Sequence, residues 1–190
     1  MTPLILSHYA VAGRVSFYDD TGVIRDVMQN HLTELLALVA MDLPGSRATI
    51  NQILANKVAV LRSVNRLDES SVLIGQYHEY PAEAQIERKD TNYDTLTPTF
   101  AAGVLVVNTP RWRDVPFVVM SGKKLDEKAS YVRVVFKPNN NVCIEANSTV
   151  CADSGEPKQL VFYIASGDVN KPVMIFASNS LPKIQPVLGW

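Results

Sequence analysis

The chain has 190 residues, of which 47% are hydrophobic and 19% charged, and its formal net charge at pH 7 is −1. This length and apolar content suit one folded domain with a sizeable core and exclude an intrinsically disordered chain. The near-neutral charge, without a basic block, makes nucleic acid and anionic membrane surfaces poor candidate partners. The longest apolar run, Leu35–Met41, is far shorter than a membrane span.

The first third of the chain predicts two helices after a short strand. Residues Met1–Gly13 lack the features of a secretory signal and read as the end of a strand that leads into a helix. The first helix is predicted over Ser16–Pro44, which Pro44 and Gly45 would end. Three consecutive polar residues would cap its start: Asp19, Asp20 and Thr21. Its apolar face has helical spacing: Val23, Val27, Met28, Leu32, Leu35, Leu36 and Val39.

The second helix is predicted over Arg47–Val64, with Ser46 as its cap. Its apolar stripe consists of five residues: Ile50, Ile53, Leu54, Val58 and Leu61. After it, Val72–Ile74 reads as a short buried strand. The polar stretch Glu79–Thr95 is too long for an ordinary connection, which favours a functional or interface loop with a short helix at Ala82–Arg88.

The second half of the chain changes to β-branched and aromatic runs separated by Gly, Pro and Asn. Five strands are predicted: Phe100–Val107, Pro116–Ser121, Tyr131–Phe136, Leu160–Ile164 and Val173–Phe176. Only Asp126–Ser130 has a helix-like pattern there, and the tail Ser180–Trp190, with two prolines and a terminal Trp, is expected to be loosely held. Helices first and strands afterwards indicate an α+β domain, in which two N-terminal helices pack on a large, mainly antiparallel open sheet.

Asp26 and His31 are the polar residues of the first helix that need an explanation. At α-helical spacing, a separation of five residues places them roughly 140° apart, so they would not share a face, although both would border a pocket at the helix flank. For His31 the alternative is a partly buried imidazole with a backbone partner, and for Asp26 a solvated carboxylate on the helix surface.

The segment Ile24–Leu32, with the sequence IRDVMQNHL, carries a resemblance to the active-site signature of glucose-6-phosphate dehydrogenases. Further matching motifs follow along the chain: Gly75-Gln76-Tyr77, Thr97-Pro98-Thr99-Phe100-Ala101-Ala102, Arg111-Trp112, Val115-Pro116-Phe117, Gly122-Lys123 and Glu127. The stretches SFYDD, QNHLTE, FVVMSGKKLDE and KQLVFYIASGD resemble most closely the hexose-6-phosphate dehydrogenase branch of the endoplasmic reticulum lumen. That resemblance implies oxidation of glucose 6-phosphate to 6-phosphogluconolactone with NADP, in the oxidative pentose phosphate pathway.

The resemblance also implies roles for individual residues. His31 matches the general base that takes the proton of the sugar C1 hydroxyl, a task that suits an imidazole because it titrates near neutral pH. Asp26 matches a residue that accepts hydrogen bonds from sugar hydroxyls. Lys123 and Lys128 match substrate-contacting basic residues, and their alternative is a pair of solvated surface lysines. Arg133 matches a residue that holds a second, structural NADP.

Several departures from the family pattern limit what this chain does alone. Met120 and Ala129 stand where the family has basic residues around the structural NADP, and Ser7 stands where a substrate-contacting Glu is common. None of the nine glycines forms a G-x-G-x-x-G turn, and Cys/His spacing for a metal is lacking. We therefore expect residues 1–190 to be a C-terminal domain whose NADP is bound mainly by an absent coenzyme domain. The alternative is a non-catalytic oligomerisation or binding module that keeps this fold.

The polar segment between Cys143 and Cys151 carries a sequon for N-glycosylation, Asn147-Ser148-Thr149. A disulfide between the two cysteines would need their Cα atoms within about 4.4–6.8 Å, which a hairpin loop allows. The two features together favour the endoplasmic reticulum lumen, with the cytoplasm as the alternative. By resemblance, we also expect a homodimer formed through the sheet.

Overall fold

The structure is a computed structural model, and it describes residues 2–6, 10–11, 13–126, 129–137, 159–164, 173–176 and 183–186. The chain divides into two compact units, residues 2–130 and residues 131–190. Helices occupy the first half and strands most of the second, so the predicted α+β class is confirmed. No helix in the described ranges is long and apolar enough to cross a bilayer.

The first unit combines a helical layer with four hydrogen-bonded strands. Its helices are α1 (Val15–Val23), a π-helical segment (Ile24–Leu32), α2 (Thr33–Ala40), α3 (Ile50–Ser63) and α4 (Tyr80–Arg88). Its strands are β1 (Thr2–Leu6), β2 (Val72–Gly75), β3 (Phe100–Val106) and β4 (Pro116–Gly122). They lie in the order β2-β3-β4-β1, with β2, β3 and β4 antiparallel and β1 parallel to β4. The π-helical segment packs on β1 and β4, and this arrangement places the IRDVMQNHL signature against the sheet.

The second unit is a run of antiparallel strands. It contains most of β5 (Ala129–Val135), followed by β6 (Gln159–Tyr163), β7 (Val173–Phe176) and β8 (Lys183–Pro186). Each strand pairs with the next along the chain, so the predicted antiparallel character is confirmed. The helix considered at Asp126–Ser130 is wrong, because Ala129 and Ser130 already belong to β5. Strand β8 lies in the tail for which no regular element was predicted.

The predicted continuous first helix is interrupted at Gly22, whose φ of 62° and ψ of 173° are non-helical. After the break, the Val23 N–H donates to the Pro98 carbonyl at 3.1 Å. A Cβ atom on Gly22 would lie 3.3 Å from Thr97 Cγ2, so the close approach of this loop favours glycine as well. The long apolar periodicity therefore predicted the extent of the helical region but not the turn inside it.

The start of α1 is capped from a distant element rather than from its own sequence. The predicted capping residues lie inside the helix, and Arg14 at the N-cap makes no side-chain cap hydrogen bond. Instead, the Glu87 carboxylate on α4 accepts from the Gly13 N–H at 3.0 Å and from the Ser16 N–H at 3.4 Å. An acceptor charge near a helix start is favourable for the unpaired N–H groups there.

Helix α3 starts later than predicted, and its apolar stripe is largely exposed. Thr49 and Gln52 form a capping box that sets the start at Ile50, so Ser46 is not the cap. The one fully buried residue of α3 is Val60, whereas Ile50 is 73% exposed and Leu54 is 50% exposed. Strand β2 is exposed as well, contrary to the prediction of a buried strand.

The main hydrophobic core joins α1, the π-helical segment, α4 and the sheet. Its buried members are Val11, Val15, Tyr18, Val23, Val27, Leu32, Tyr80, Ala84, Ala101 and Val119. Within it, the rings of Tyr18 and Tyr80 meet edge-on with 6.1 Å between centroids, and Tyr77 meets Tyr80 in the same way at 5.4 Å. Such aromatic pairs contribute about 0.5–1.5 kcal/mol each beyond the burial of their area. Helix α4 itself confirms the short helix predicted in the 79–95 stretch.

Candidate functional site

The signature segment Ile24–Leu32 is a π-helix, which was not predicted from its apolar spacing. At its end, the Thr33 N–H and the Thr33 hydroxyl both donate to the Met28 carbonyl, the hydroxyl at 2.8 Å. Hydrogen bonds from i to i+5 stack residues five apart, so Asp26 and His31 lie on the same side of this segment. The predicted separation of about 140° is therefore wrong, because it assumed α-helical geometry.

The apolar residues of the π-helical segment are buried, and its two candidate site residues are more exposed. Val27 and Leu32 are buried against the core, while His31 is exposed and Asp26 is half-buried. The exposed imidazole does not fit the alternative of a partly buried histidine with a backbone partner. An exposed imidazole can accept a proton, and a half-buried carboxylate can orient a hydroxyl group.

Lys123 directly follows β4, and its backbone N–H donates to the Thr99 carbonyl at 2.9 Å. Its ammonium lies 5.8 Å from the centroid of the Tyr18 ring. Burial lowers the pKa of Lys123, and the Asp26 carboxylate opposes that shift. No carboxylate of the described residues forms an ion pair with Lys123.

Tyr18 was not predicted as a site residue. It is 3% exposed, and among the described residues no group forms a hydrogen bond with its hydroxyl. Burial raises the pKa of Tyr18 far above its ordinary value, and the Asp26 carboxylate raises it further. Tyr18, Asp26 and Lys123 are therefore within electrostatic reach of one another, and we call these three residues the open cluster. The sequence pattern did not single out Tyr18, because an aromatic residue at a core position of a helix is usual.

Asp19 is the centre of a second polar group, formed with Tyr80, Arg88, Tyr93 and Thr95, which we call the closed cluster. Its carboxylate accepts from the hydroxyls of Tyr80 at 3.0 Å, of Thr95 at 2.6 Å and of Tyr93, and the Arg88 guanidinium lies 3.5 Å away. Burial acts to raise the pKa of Asp19, but the hydrogen bonds from Thr95, Tyr93 and Tyr80 outweigh it, and the pKa is lowered. This cluster joins α1 to α4 and to the loop after α4.

Lys124, next to Lys123, forms ion pairs with carboxylates of the same unit. Its ammonium lies 3.2 Å from Glu79 Oε2 and 3.7 Å from Glu83 Oε1, and it is 5.1 Å from the centroid of the Tyr77 ring. The backbone of Lys124 is left-handed, with a φ of 52°. The two adjacent lysines thus have different surroundings. Lys124 forms ion pairs within the unit, whereas Lys123 belongs to the open cluster.

The remaining predicted site residues lie outside the described residues or in the second unit. Lys128, Asn147, Cys143 and Cys151 lie outside the described residues. Arg133 is half-buried on β5 in the second unit, opposite Val161. Across the described ranges, no group of His, Cys, Asp and Glu is arranged to hold a metal ion.

A family model described as "Glucose-6-phosphate dehydrogenase, C-terminal domain" matches residues 5–174, and that description defines a domain of an oxidoreductase. The GDH/6PGL endoplasmic bifunctional protein of Homo sapiens is 42% identical over 170 residues, 88% of this chain and 21% of that protein. The Glucose-6-phosphate 1-dehydrogenase of Dictyostelium discoideum is 42% identical over 132 residues, 68% of this chain and 26% of that protein. The chain therefore belongs to the glucose-6-phosphate dehydrogenase family and matches its C-terminal domain.

Solved structures have the same fold. The Glucose-6-phosphate 1-dehydrogenase from Mycobacterium avium is 27% identical with a TM-score of 0.75, covering 98% of this chain and 38% of that one. A glucose-6-phosphate dehydrogenase in complex with its substrate glucose-6-phosphate is 26% identical with a TM-score of 0.72, covering 97% of this chain and 37% of that one. This chain thus corresponds to less than half of either solved protein.

Proposed function

We propose that this chain is the substrate-binding part of an NADP-dependent dehydrogenase that oxidises glucose 6-phosphate to 6-phosphogluconolactone in the oxidative pentose phosphate pathway. The observation that carries the proposal is the π-helical segment, which presents His31 and Asp26 on the same side. The family membership of the chain supports it, as does the solved relative that is in complex with its substrate glucose-6-phosphate. Since the relatives are several times longer than the matched region, the activity belongs to a larger assembly of domains.

In this function His31 is the general base. Its exposed imidazole takes the proton of the sugar C1 hydroxyl, and solvent can take that proton away afterwards. Asp26 accepts hydrogen bonds from sugar hydroxyls, and the carboxylate keeps the ring in one orientation. Lys123 supplies a cation that no described carboxylate neutralises, with Lys128 as a second basic contact. Oriented binding of this kind lowers the entropic cost of reaching the transition state.

NADP, when bound, accepts the hydride from the sugar carbon. The sequence has no glycine-rich phosphate turn, so we propose that a coenzyme domain other than this one binds it. Arg133 fits a contact to an anionic group, because its Nε is buried and has no hydrogen-bond partner in the described part of the chain. Met120 and Ala129 contribute no charge to such a site. We expect the chain alone to reduce no NADP in the presence of glucose 6-phosphate.

Three further features belong to this proposal. The similarity to an endoplasmic bifunctional protein favours the endoplasmic reticulum lumen over the cytoplasm. In that compartment Asn147 would be glycosylated, and Cys143 and Cys151 would form a disulfide. The large exposed side chains of the first unit, such as Leu73 on β2, are compatible with a homodimer. Mass spectrometry of protein secreted into an oxidising compartment would test the disulfide and the glycan directly.

Binding of glucose 6-phosphate to the chain tests the proposal, and the two adjacent lysines provide a matched pair of variants. Lys123→Met should weaken binding by about 10-fold or more, because a hydrogen bond to a charged group contributes about 1.5–3 kcal/mol. Lys124→Met removes the same charge next door, but from an ammonium engaged with Glu79 and Glu83, and should leave affinity nearly unchanged. The affinities can be measured by NMR titration at millimolar sugar phosphate. Equal effects of the two variants, or no saturable binding to the wild type, would contradict the proposal.

A further inference from the structure

An apolar cavity of about 190 Å³ lies between the helical layer and the sheet of the first unit, and we call it the apolar cleft. On the helical side it is lined by residues of the π-helical segment and α2, and on the sheet side by residues of β3 and β4. Among them, Leu32, Ala101 and Val119 are buried. None of the described residues that line the cleft is charged, and Gln29 and Thr33 are its polar side chains.

The cleft exists because β3 carries very small residues where it faces the helices. Ala101 and Gly103 both line it, and residues two apart in a strand share a face. The backbone does not require glycine at position 103, because its φ is not positive. A Cβ atom on Gly103 would lie 3.6 Å from Leu67 Cδ2, which is an ordinary contact. Since glycine inside a strand is destabilising relative to alanine, neither chain geometry nor stability accounts for this empty space.

The size and the chemistry of the cleft define the ligand that it can take. An apolar cavity of about 150 Å³ in a protein stays dry and binds benzene, so this slightly larger space admits a molecule with one aromatic ring. The uncharged lining excludes sugar phosphates and other ions, because a charge buried without a partner is costly. Gln29 is exposed and its side chain has no hydrogen bond to a described residue, so its amide can bind one polar group of the ligand.

We propose that the apolar cleft is a binding site for a small uncharged molecule with one aromatic ring. The proposal does not depend on the proposed function, because the lining of the cleft includes none of Asp26, His31 and Lys123. A ligand in the cleft contacts Ile24 and Met28, which belong to the π-helical segment with the family signature. The signature therefore has a ligand contact on the side that packs towards the sheet.

Titration of the chain with benzene, followed by NMR of side-chain methyl groups, tests the proposal. The methyl signals of Ile24, Met28 and Leu32 should shift and then saturate. Gly103→Val should abolish these shifts, because its side chain fills the cleft, and should raise the melting temperature of the ligand-free chain by about 2–4 °C. Gly75→Val is the matched control. It adds the same atoms to β2, where a Cβ atom would lie 3.9 Å from Phe100 and outside the cleft, so benzene binding should be as in the wild type.

Gly103→Ala gives a second measurement in case Gly103→Val does not fold. Its single methyl group occupies part of the cleft and should weaken benzene binding by about 2-fold or more. The proposal would be overturned if the wild-type signals did not saturate, or if benzene bound equally well after filling of the cleft. Loss of binding in Gly75→Val as well would place benzene elsewhere. Signals that changed with protein concentration but not with benzene would show that a second copy of the chain fills the cleft, which would also overturn the proposal.

Discussion

The open and closed clusters begin at neighbouring residues of α1, Tyr18 and Asp19. They differ in whether their polar groups have hydrogen-bond or ion-pair partners among the described residues. In the closed cluster, Asp19 is surrounded by three hydroxyl donors and a guanidinium, and no further ligand is needed. In the open cluster, the Tyr18 hydroxyl and the Lys123 ammonium have no hydrogen-bond or ion-pair partner in the described chain. Completed networks stabilise a fold, whereas incomplete ones of this kind indicate where a ligand binds.

The largest effect should come from His31, which lies in the same π-helical segment as Asp26 of the open cluster. In a complete enzyme that joins this chain to a coenzyme domain, His31→Asn should lower turnover by about 10²–10⁴-fold, the contribution of a positioned base. The melting temperature should hardly change, because the imidazole is exposed. Activity per folded molecule, with folding checked by circular dichroism, is the measurement. Normal turnover in a folded His31→Asn variant would contradict the role of His31 as the general base.

Asp19→Ala should give the largest loss of stability. It removes one buried carboxylate and leaves three hydroxyls and the Arg88 guanidinium without their acceptor. The free energy of unfolding should fall by about 3–5 kcal/mol, as for other broken buried charge pairs. Urea unfolding at neutral pH measures it. Asp20→Ala, an exposed neighbour on the same helix, is the control and should change little. A similar small change at Asp19 would mean that the closed cluster is not structural.

The pH dependence of stability distinguishes Asp19 from an ordinary carboxylate. Its pKa in the folded chain is lowered from 3.8, so the unfolded chain binds the proton more readily than the folded chain. The stabilising contribution is therefore fully present above the unfolded pKa and is lost as the pH falls through the lower folded pKa. The difference in unfolding free energy between wild type and Asp19→Asn should shrink when the pH is lowered from about 6 towards 3. A difference that is constant with pH would contradict this prediction.

Gly22→Ala should have a smaller effect, but on both clusters, because Gly22 separates Asp19 from Asp26. A φ of 62° costs a residue with a Cβ about 1–2 kcal/mol, and the new atom would contact Thr97 at 3.3 Å. We expect the melting temperature to fall and sugar-phosphate affinity to weaken together. Gly13→Ala is an informative control, since it has positive φ but nothing within 4 Å of its Cβ. If only the melting temperature changed, the backbone conformation at Gly22 would not affect sugar-phosphate binding.

The sequence predicted the elements of this domain better than the geometry between them. Runs of β-branched and aromatic residues between turn residues located β3 and β4 to within a few residues, because these signals are local. The apolar spacing of the first helix missed Gly22, since its conformation is set by the distant loop at Thr97 and Pro98. The exposure of individual side chains was not predicted either. Ile50 and Leu73 are residue types that are usually buried, but both face solvent in this chain.

For the site, family motifs identified the residues, but not their arrangement. Asp26 and His31 were found from the signature, while the π-helix that aligns them has no recognisable sequence code. Tyr18 was missed, because whether a tyrosine hydroxyl is paired depends on its neighbours in space rather than in sequence. Lys123 and Lys124 show the same limit, since two identical side chains in succession end in different ion-pair environments.

The Glu87 carboxylate at the start of α1 has an electrostatic consequence for ligands. The beginning of a helix is an attractive position for phosphate groups, because its free N–H groups and the helix dipole favour negative charge. Here a side chain of α4 already occupies that position and brings its own negative charge to it. Anions are therefore expected to be repelled from the start of α1, because its free N–H groups already bind a carboxylate.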